Sequence, residues 1–140
     1  MGWLQVIEAQ SKKVERYHYR DYLSRAQQSL DVAKYAFEQA KWDACAIMAV
    51  QSAISASDAL CTYQFSSHSS SQRHDDAIKL FRSVDPSSDA HKTNTNRLTR
   101  ILSKKSDSAY SEQSVKRNEA EFLMSEAERL LAYVKSKLPQ

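Results

Sequence analysis

The sequence contains few of the residues that form turns and strands. Its 140 residues include one glycine and two prolines. Tight hairpin turns depend on glycine and similar residues, and no segment alternates apolar and polar residues over the length of a strand. We therefore expect an all-α fold, an up-and-down antiparallel bundle of about five helices.

Cysteines and long apolar runs are also scarce. The two cysteines, Cys45 and Cys61, lie sixteen positions apart, which on one helix is about 24 Å and too far for a disulfide. They predict buried thiols in a reduced, cytoplasmic protein. No segment has a signal-peptide core or the roughly 20 apolar residues of a membrane span, so we expect no membrane contact.

The length favours one domain. At 140 residues the whole chain fits a single helical core, so we expect residues 1–140 to form one domain in which 1–14 are a flexible or loosely packed N-terminal segment. The net charge of +3 is too small to indicate nucleic-acid binding by itself. Nothing in the sequence predicts a cofactor.

The segment from Trp42 to Leu60 has two apolar seams at helical spacing. One is almost entirely alanine and comprises Ala46, Ala49, Ala53, Ala56 and Leu60. The other comprises Ile47, Val50, Ile54 and Cys61, and the strip left between the seams is polar: Gln51, Ser55, Asp58 and Thr62. Small side chains allow a neighbouring backbone to approach closely, so this segment predicts an inner helix of the bundle.

Four further helices follow from the same periodicity. They are expected at about 15–41, 73–83, 96–104 and 115–137. The corner at 41–43 should use Asp43 as an N-cap, with Trp42 packing across both helices. We expect the serine-rich stretch 65–72 to be a loop, the segment 86–95 to be irregular, and 107–114 to connect the last two helices.

The order of these blocks resembles the HEPN domain (higher eukaryotes and prokaryotes nucleotide-binding). The resemblance is carried by the Trp42–Asp43 corner and by four segments that follow it in order: AVQSAISASDALC, HDDAIKLF, RLTRIL and KKSDSAY. A long terminal helix comes after the last of them. It implies an all-α bundle that commonly dimerises and acts in toxin–antitoxin, defence or RNA-processing systems. Many members of the family are metal-independent endoribonucleases.

The catalytic motif of those ribonucleases is absent from this sequence. The resemblance implies an arginine followed, after four to six intervening residues, by a histidine, which would serve as a cation over the phosphorane and as a proton shuttle. No arginine precedes any of the four histidines at that spacing; these are His18, His68, His74 and His91. The sequence therefore favours a non-catalytic module.

Lys105 and Tyr110 stand about where the resemblance places the motif. Tyrosine is a weak base at neutral pH, with an ordinary pKa near 10, so these two residues, with a loop histidine such as His68 or His74, are only weak catalytic candidates. They can also bind, lysine as a charge for phosphate and tyrosine as a stacking surface. The alternative is that both only pack against the bundle.

A basic run between Asp89 and Asp107 is the candidate nucleic-acid surface. It contains Lys92, Arg97, Arg100, Lys104 and Lys105, with no acidic residue between them. On a helix, Arg97, Arg100 and Lys104 share one face and can contact a phosphate backbone. The alternative is an ordinary solvated helix face.

Three acidic residues are not expected to form a catalytic or metal site. Asp75 and Asp76, beside His74, favour the start of a helix over a metal site, so no metal is expected. Asp58 is expected to face solvent or a partner across a dimer interface.

Three functions follow from these residues and the resemblance. The first is a non-catalytic, homodimeric module that binds RNA or a protein partner. The second is a ribonuclease with a non-standard catalytic set. The third is a scaffold without a nucleic-acid role.

Overall fold

Five helices account for most of the fold. The computed structural model describes residues 11–69, 74–110 and 113–139. The helices are α1 (Tyr19–Glu38), α2 (Trp42–Phe65), α3 (His74–Arg82), α4 (Asp89–Tyr110) and α5 (Arg117–Lys137), and a 3-10 turn, Arg16–His18, precedes α1. Two short strands are β1 (Ser11–Lys13) and β2 (Ser67–Ser69). The expected all-α bundle is confirmed.

The alanine seam of α2 lies at the centre of the bundle. Its members are all buried: Ala46, Ala49, Ala53, Ala56 and Leu60. Because these side chains are small, the backbone of α1 comes close enough for the Ser52 hydroxyl to donate a hydrogen bond of 2.7 Å to the carbonyl of Ala26. Two turns earlier in α2, the Cys45 thiol lies 3.8 Å from the carbonyl of Ala120 in α5. α2 is therefore an inner helix, as its seam predicts.

The second apolar seam of α2 is only partly buried. Val50 and Cys61 are buried, but Ile47 is 61% exposed. Thr62, which was expected on a polar strip, is completely buried. The prediction is wrong at these two positions. Near the start of α2 the side with Ile47 faces solvent, and near the end of α2 the strands and the 3-10 turn cover the side with Thr62.

The corner between α1 and α2 differs from the expected one. Ala40 adopts a positive φ of 57°, and the amide of Lys41 donates to the carbonyl of Ala36 at 2.8 Å. Lys41, rather than Asp43, is the N-cap residue. Asp43 instead accepts a hydrogen bond of 2.8 Å from the amide of Val115, which fixes the segment before α5 to the first turn of α2. The ring of Trp42 packs edge-on against Phe37, with 5.2 Å between centroids, as expected.

The paired strands were not predicted. β1 and β2 form an antiparallel pair in which Ser11 lies opposite Ser69 and Lys13 opposite Ser67. The expected loop at 65–72 is thus partly a strand, and Ser66, with a φ of 53°, turns the chain into it. Within the expected loose segment 1–14, residues 11–13 form β1, and residues 1–10 lie outside the described residues.

α4 is much longer than its apolar pattern indicates. It begins at Asp89 and continues to Tyr110, so the expected irregular segment 86–95 and connection 107–114 are both partly helical. The Ser88 hydroxyl accepts a hydrogen bond from the amide of His91 at 3.2 Å, which is the geometry of an N-cap. The first two turns were missed because their inward residues are polar. These are His91, Asn94 and Thr95.

α2 also satisfies the length and composition criteria for a membrane span, contrary to the expectation from the sequence. In the fold, 61% of its apolar window is buried inside the bundle. A buried core helix has the same composition as a membrane span, and α2 is mostly buried in this bundle.

A buried histidine joins three helices. His91 is 1% exposed; its Nε2 donates to the carbonyl of Phe81 at 2.7 Å, and its Nδ1 lies 2.8 Å from the hydroxyl of Tyr133. Because a carbonyl can only accept, Nε2 carries a proton, and Nδ1 shares the second hydrogen bond with the tyrosine hydroxyl. The imidazole also stacks on the Phe81 ring at 4.6 Å. It thereby positions α3 and α5 against α4.

We expect Tyr133→Phe to lower the free energy of unfolding by about 1–3 kcal/mol, because it leaves a buried ring nitrogen without its hydrogen-bond partner. Urea unfolding followed by circular dichroism measures this change. Tyr35→Phe, at a tyrosine that is 61% exposed, is the matched control and should change stability by less than about 0.5 kcal/mol. Equal stabilities of the two variants would contradict the role given to His91.

Candidate nucleic-acid interface

The outward face of α4 carries cations in helical register. Three of them are exposed: Lys92, Arg100 and Lys104. The opposite side of the helix is buried core and contains Leu98, Ile101 and Leu102. Twelve residues separate Lys92 from Lys104, so the row is about 18 Å long at 1.5 Å per residue. Since no acid lies between Asp89 and Asp107 on this helix, its outward face is uniformly positive.

Arg97 lies at the side of this face, against α5. Its side chain is only 17% exposed, and its Nε donates to Oε2 of Glu126 at 2.7 Å. A second nitrogen donates to Oδ1 of Asn94 at 2.8 Å. Arg97 therefore attaches α4 to α5. The other predicted basic residues whose side chains are described are exposed, and Arg97 is not.

Glu126 gathers two further arginines. Its carboxylate is 9% exposed and lies 3.4 Å from Arg100 and 3.8 Å from Arg129. These two guanidinium groups are 49% and 64% exposed. One carboxylate balances one of three positive charges, so the junction of α4 and α5 keeps an excess of about two. We call the exposed cations Lys92, Arg100, Lys104 and Arg129 the basic surface.

The charge of this surface is suited to phosphate. An arginine presents a planar set of donors that pairs with phosphate oxygens, and the weak contacts of 3.4 and 3.8 Å leave most of those donors directed away from Glu126. Glu126 holds Arg100 and Arg129 near each other from two different helices. Such an arrangement can contact successive phosphates of a nucleic-acid backbone.

The side chains of the weak catalytic candidates Lys105, Tyr110 and His74 lie outside the described residues. The backbone of α4 nevertheless includes both Lys105 and Tyr110, so they belong to a helix and not, as Tyr110 was expected to, to a connection. Lys105 continues the helix that carries the basic surface.

His68 and Tyr110 belong to different parts of the fold. The chain after Tyr110 reaches Val115, whose amide is bonded to Asp43 in the first turn of α2. His68 follows the last turn of α2 and lies beside Asp58, which is about 22 Å along the helix from Asp43. A shared catalytic role for His68 and Tyr110 stays a prediction.

His68 contacts a carboxylate that was expected elsewhere. Its Nδ1 lies 3.9 Å from Oδ1 of Asp58, and the two side chains are 14% and 21% exposed. The ring of Tyr22 packs edge-on against His68 at 5.2 Å, and Arg25 lies over that tyrosine ring. Asp58 was expected to face solvent or a partner subunit; its side chain is only 21% exposed, because β2 folds back over the last turns of α2.

Burial changes the acidity of Asp58. Loss of hydration raises the pKa of this carboxyl from 3.8 to about 7, and the positive charge of Arg25 opposes the rise. The nearby carboxylate and burial also raise the pKa of the Tyr22 hydroxyl. Asp58 and His68 form a small acid–base pair beneath the strands. Within the described residues there is no cluster of three or more histidine, cysteine, aspartate or glutamate side chains suited to a metal ion.

The family model of the HEPN domain matches residues 19–137, which is most of the chain. The chain belongs to the HEPN domain family. No curated protein matches it in the corresponding comparison. Membership indicates a nucleotide-binding or ribonuclease-like module. The positive charge of the basic surface is suited to nucleotide phosphates.

Glu126 and Arg129 were missed by reasoning from the sequence. The basic run was read as one segment, whereas the surface joins two helices that are distant in sequence. A signal was present: Glu126 lies directly beside Ala127 of the apolar seam of α5, and an acid at the edge of a seam requires a cationic partner. That partner is Arg97, whose side chain is 17% exposed.

We expect the stability of this HEPN domain to fall as the pH rises from about 4 to 7. In that range the unfolded chain has released the Asp58 proton while the folded chain retains it, so the unfolded state binds fewer protons and stability decreases with pH. Asp58→Asn removes this contribution. Between pH 5 and pH 8 the free energy of unfolding of the variant should rise by about 2 kcal/mol relative to that of wild type. This figure takes about 1.36 kcal/mol per pKa unit and is reduced because Asp58 is partly exposed.

Urea unfolding at pH 5 and pH 8 measures this gain. Asp31→Asn, at an exposed aspartate of α1, is the control and should follow the wild-type pH profile. Parallel profiles for wild type and Asp58→Asn would show that Asp58 is not a titrating buried carboxyl.

Proposed function

We propose that this HEPN domain is a non-catalytic, homodimeric module that binds RNA through the basic surface of α4 and α5. The observation that carries the proposal is the excess of arginine around Glu126, where three guanidinium groups meet one carboxylate. Lys92 and Lys104 extend the positive charge along α4. Counterion release from phosphates makes such a surface a binding site for a nucleic-acid backbone.

The absence of the ribonuclease motif supports a non-catalytic role. No arginine precedes a histidine at the required spacing. The two histidines with a described, largely buried side chain are engaged in the fold: His91 bridges three helices, and His68 lies beside Asp58 and Tyr22. These two described histidines are therefore held in the fold and are not presented at the basic surface as proton shuttles.

The exposed side of α2 supports a dimer. Ile47 is 61% exposed, and Gln51 and Ile54 follow within two turns on the same side, with Ile54 partly buried. An exposed isoleucine beside a partly buried one gives this side of α2 apolar area that a second chain can cover. We infer that two copies meet along this side of α2.

The setting of the module follows from the cysteines and the family. Cys45 and Cys61 are both buried and reduced, and burial raises the pKa of both thiols, which keeps them unreactive. These observations support a cytoplasmic protein. The resemblance to HEPN domains of defence and toxin–antitoxin systems supports a similar setting, and a neighbouring antitoxin or nucleotidyltransferase gene would agree with it.

We expect the double variant Arg100→Gln/Arg129→Gln to bind duplex and single-stranded RNA more weakly than wild type at 100 mM salt. Each lost phosphate contact should reduce the slope of log affinity against log salt by about one. Fluorescence anisotropy with labelled RNA at several salt concentrations measures both quantities. Arg82→Gln, at an exposed arginine of α3, is the matched control and should leave the slope unchanged.

The same RNA should remain intact. Cleavage by wild type that is lost in Lys105→Ala or Tyr110→Phe would establish the alternative, a ribonuclease with a non-standard catalytic set. Wild type that neither binds nor cleaves RNA would leave the scaffold reading.

We expect size-exclusion chromatography with light scattering to give twice the 16.0 kDa of one chain for wild type and the mass of one chain for Ile47→Asp. A carboxylate in an apolar interface loses its hydration without gaining a partner. Tyr17→Asp, at a similarly exposed residue at the other end of the bundle, should remain dimeric. A monomeric wild type would contradict the proposed dimer.

A further inference from the structure

A second surface combines arginines with aromatic rings at the start of α1. Residues 16–25 read RYHYRDYLSR and contain three arginines and three tyrosines. The last turn of α2 lies against the 3-10 turn that opens this segment. We call the group formed by Arg16, Tyr17, Arg20, Arg25, Tyr63 and Phe65 the aromatic–arginine surface.

Each arginine of this surface lies over a tyrosine ring. The guanidinium carbons of Arg16, Arg20 and Arg25 are 5.5, 5.8 and 5.2 Å from the ring centroids of Tyr63, Tyr19 and Tyr22. Stacking on a ring uses the face of a guanidinium group and leaves donors at its edge. The Nε of Arg20 donates to the Tyr19 hydroxyl at 3.4 Å, and all three arginines are exposed. The rings therefore help to hold exposed cations in place for an anion.

Two aromatic rings of the surface are left open to solvent. Tyr17 is 63% exposed and Phe65 is 37% exposed. Tyr17 packs at a tilt against His18, with 4.3 Å between centroids, so part of its ring remains available. The amide of Val14 donates to the carbonyl of Ser66 at 2.9 Å, so the 3-10 turn lies beside the end of α2 that carries Phe65.

The charge of this region is unusually positive for the chain. Residues 11–25 contain five lysines and arginines and two acids, a net charge of +3 that equals the net charge of the whole sequence. One of the two acids, Asp21, is bonded to His18 at 2.8 Å. The surface is therefore complementary to a polyanion.

We propose that the aromatic–arginine surface binds an unpaired stretch of RNA. Bases stack on the rings of Tyr17 and Phe65, and the guanidinium groups of Arg16 and Arg20 donate to the phosphates between them. Stacking platforms combined with cations are how proteins hold single-stranded nucleic acid. Paired bases do not expose their faces, so this surface selects single strands, whereas the basic surface of α4 and α5 contacts phosphates of either form.

This proposal extends the proposed function to the form of RNA that is preferred, but the contact can be tested independently. The double variant Tyr17→Ser/Phe65→Ser removes both exposed rings and leaves every buried residue unchanged. Its affinity for a labelled, unstructured RNA of twelve nucleotides should fall about tenfold or more, since stacking of one base contributes about 1–3 kcal/mol. Its affinity for a duplex RNA should change less than twofold. A DNA strand of the same sequence serves as a third probe and should behave like the single-stranded RNA, because stacking does not depend on the 2′-hydroxyl.

Tyr35→Ser is the matched control. Tyr35 is exposed to almost the same extent, 61%, but lies on α1 eighteen residues from Tyr17, about 27 Å along the helix. It should bind all three probes as wild type does. Circular dichroism of each variant checks that the fold is retained.

Equal single-strand affinities of wild type and Tyr17→Ser/Phe65→Ser would overturn the proposal, and so would an equal loss for single-stranded and duplex RNA. The variant Arg100→Gln/Arg129→Gln distinguishes a failure of this proposal from a failure of the proposed function. If Arg100→Gln/Arg129→Gln weakens RNA binding and Tyr17→Ser/Phe65→Ser does not, the basic surface binds RNA and the aromatic–arginine surface does not. Wild type that binds no probe would overturn both.

Discussion

The close contact of α1 and α5 with the alanine side of α2 is the constraint on which the rest of the structure depends. Alanines at positions 46, 49, 53 and 56 are all buried, and the hydrogen bond from Ser52 to the carbonyl of Ala26 shows how near the backbone of α1 lies. A larger residue in this seam would separate the helices and create strain in a densely packed core. Because α5 is held against α2, its other side is available to α4.

The basic surface follows from how α4 is attached to α5. Two polar contacts do this: the bridge from His91 to Tyr133 near the start of α4, and the ion pair of Arg97 with Glu126 one and a half turns later. A buried carboxylate needs compensation, and Arg97 supplies it. Arg100 and Arg129 then approach the same carboxylate without being needed for neutrality. Their guanidinium groups are 49% and 64% exposed to solvent.

The sequence is sufficient for the architecture where packing is apolar and periodic. The alanine seam of α2 predicts an inner helix because its spacing reports burial directly. The sequence was insufficient where polar groups are buried: the start of α4 is held by His91, Asn94 and Thr95, which have no apolar period. The contact of Asp58 with His68 depends on how β2 folds back over α2, and the meeting of Arg100 with Arg129 depends on the docking of two helices. Local patterns do not report either arrangement.

The central claim is that the exposed cations of α4 and α5 bind RNA without cleaving it. A titration of isotope-labelled protein with a short RNA, followed by amide and arginine side-chain resonances in NMR, tests this claim most directly. We expect the largest chemical-shift changes at Lys92, Arg100, Lys104 and Arg129. These changes should diminish as salt is added, and the RNA should keep its full length. Shortened RNA, or shifts that leave these four residues unchanged, would contradict this claim.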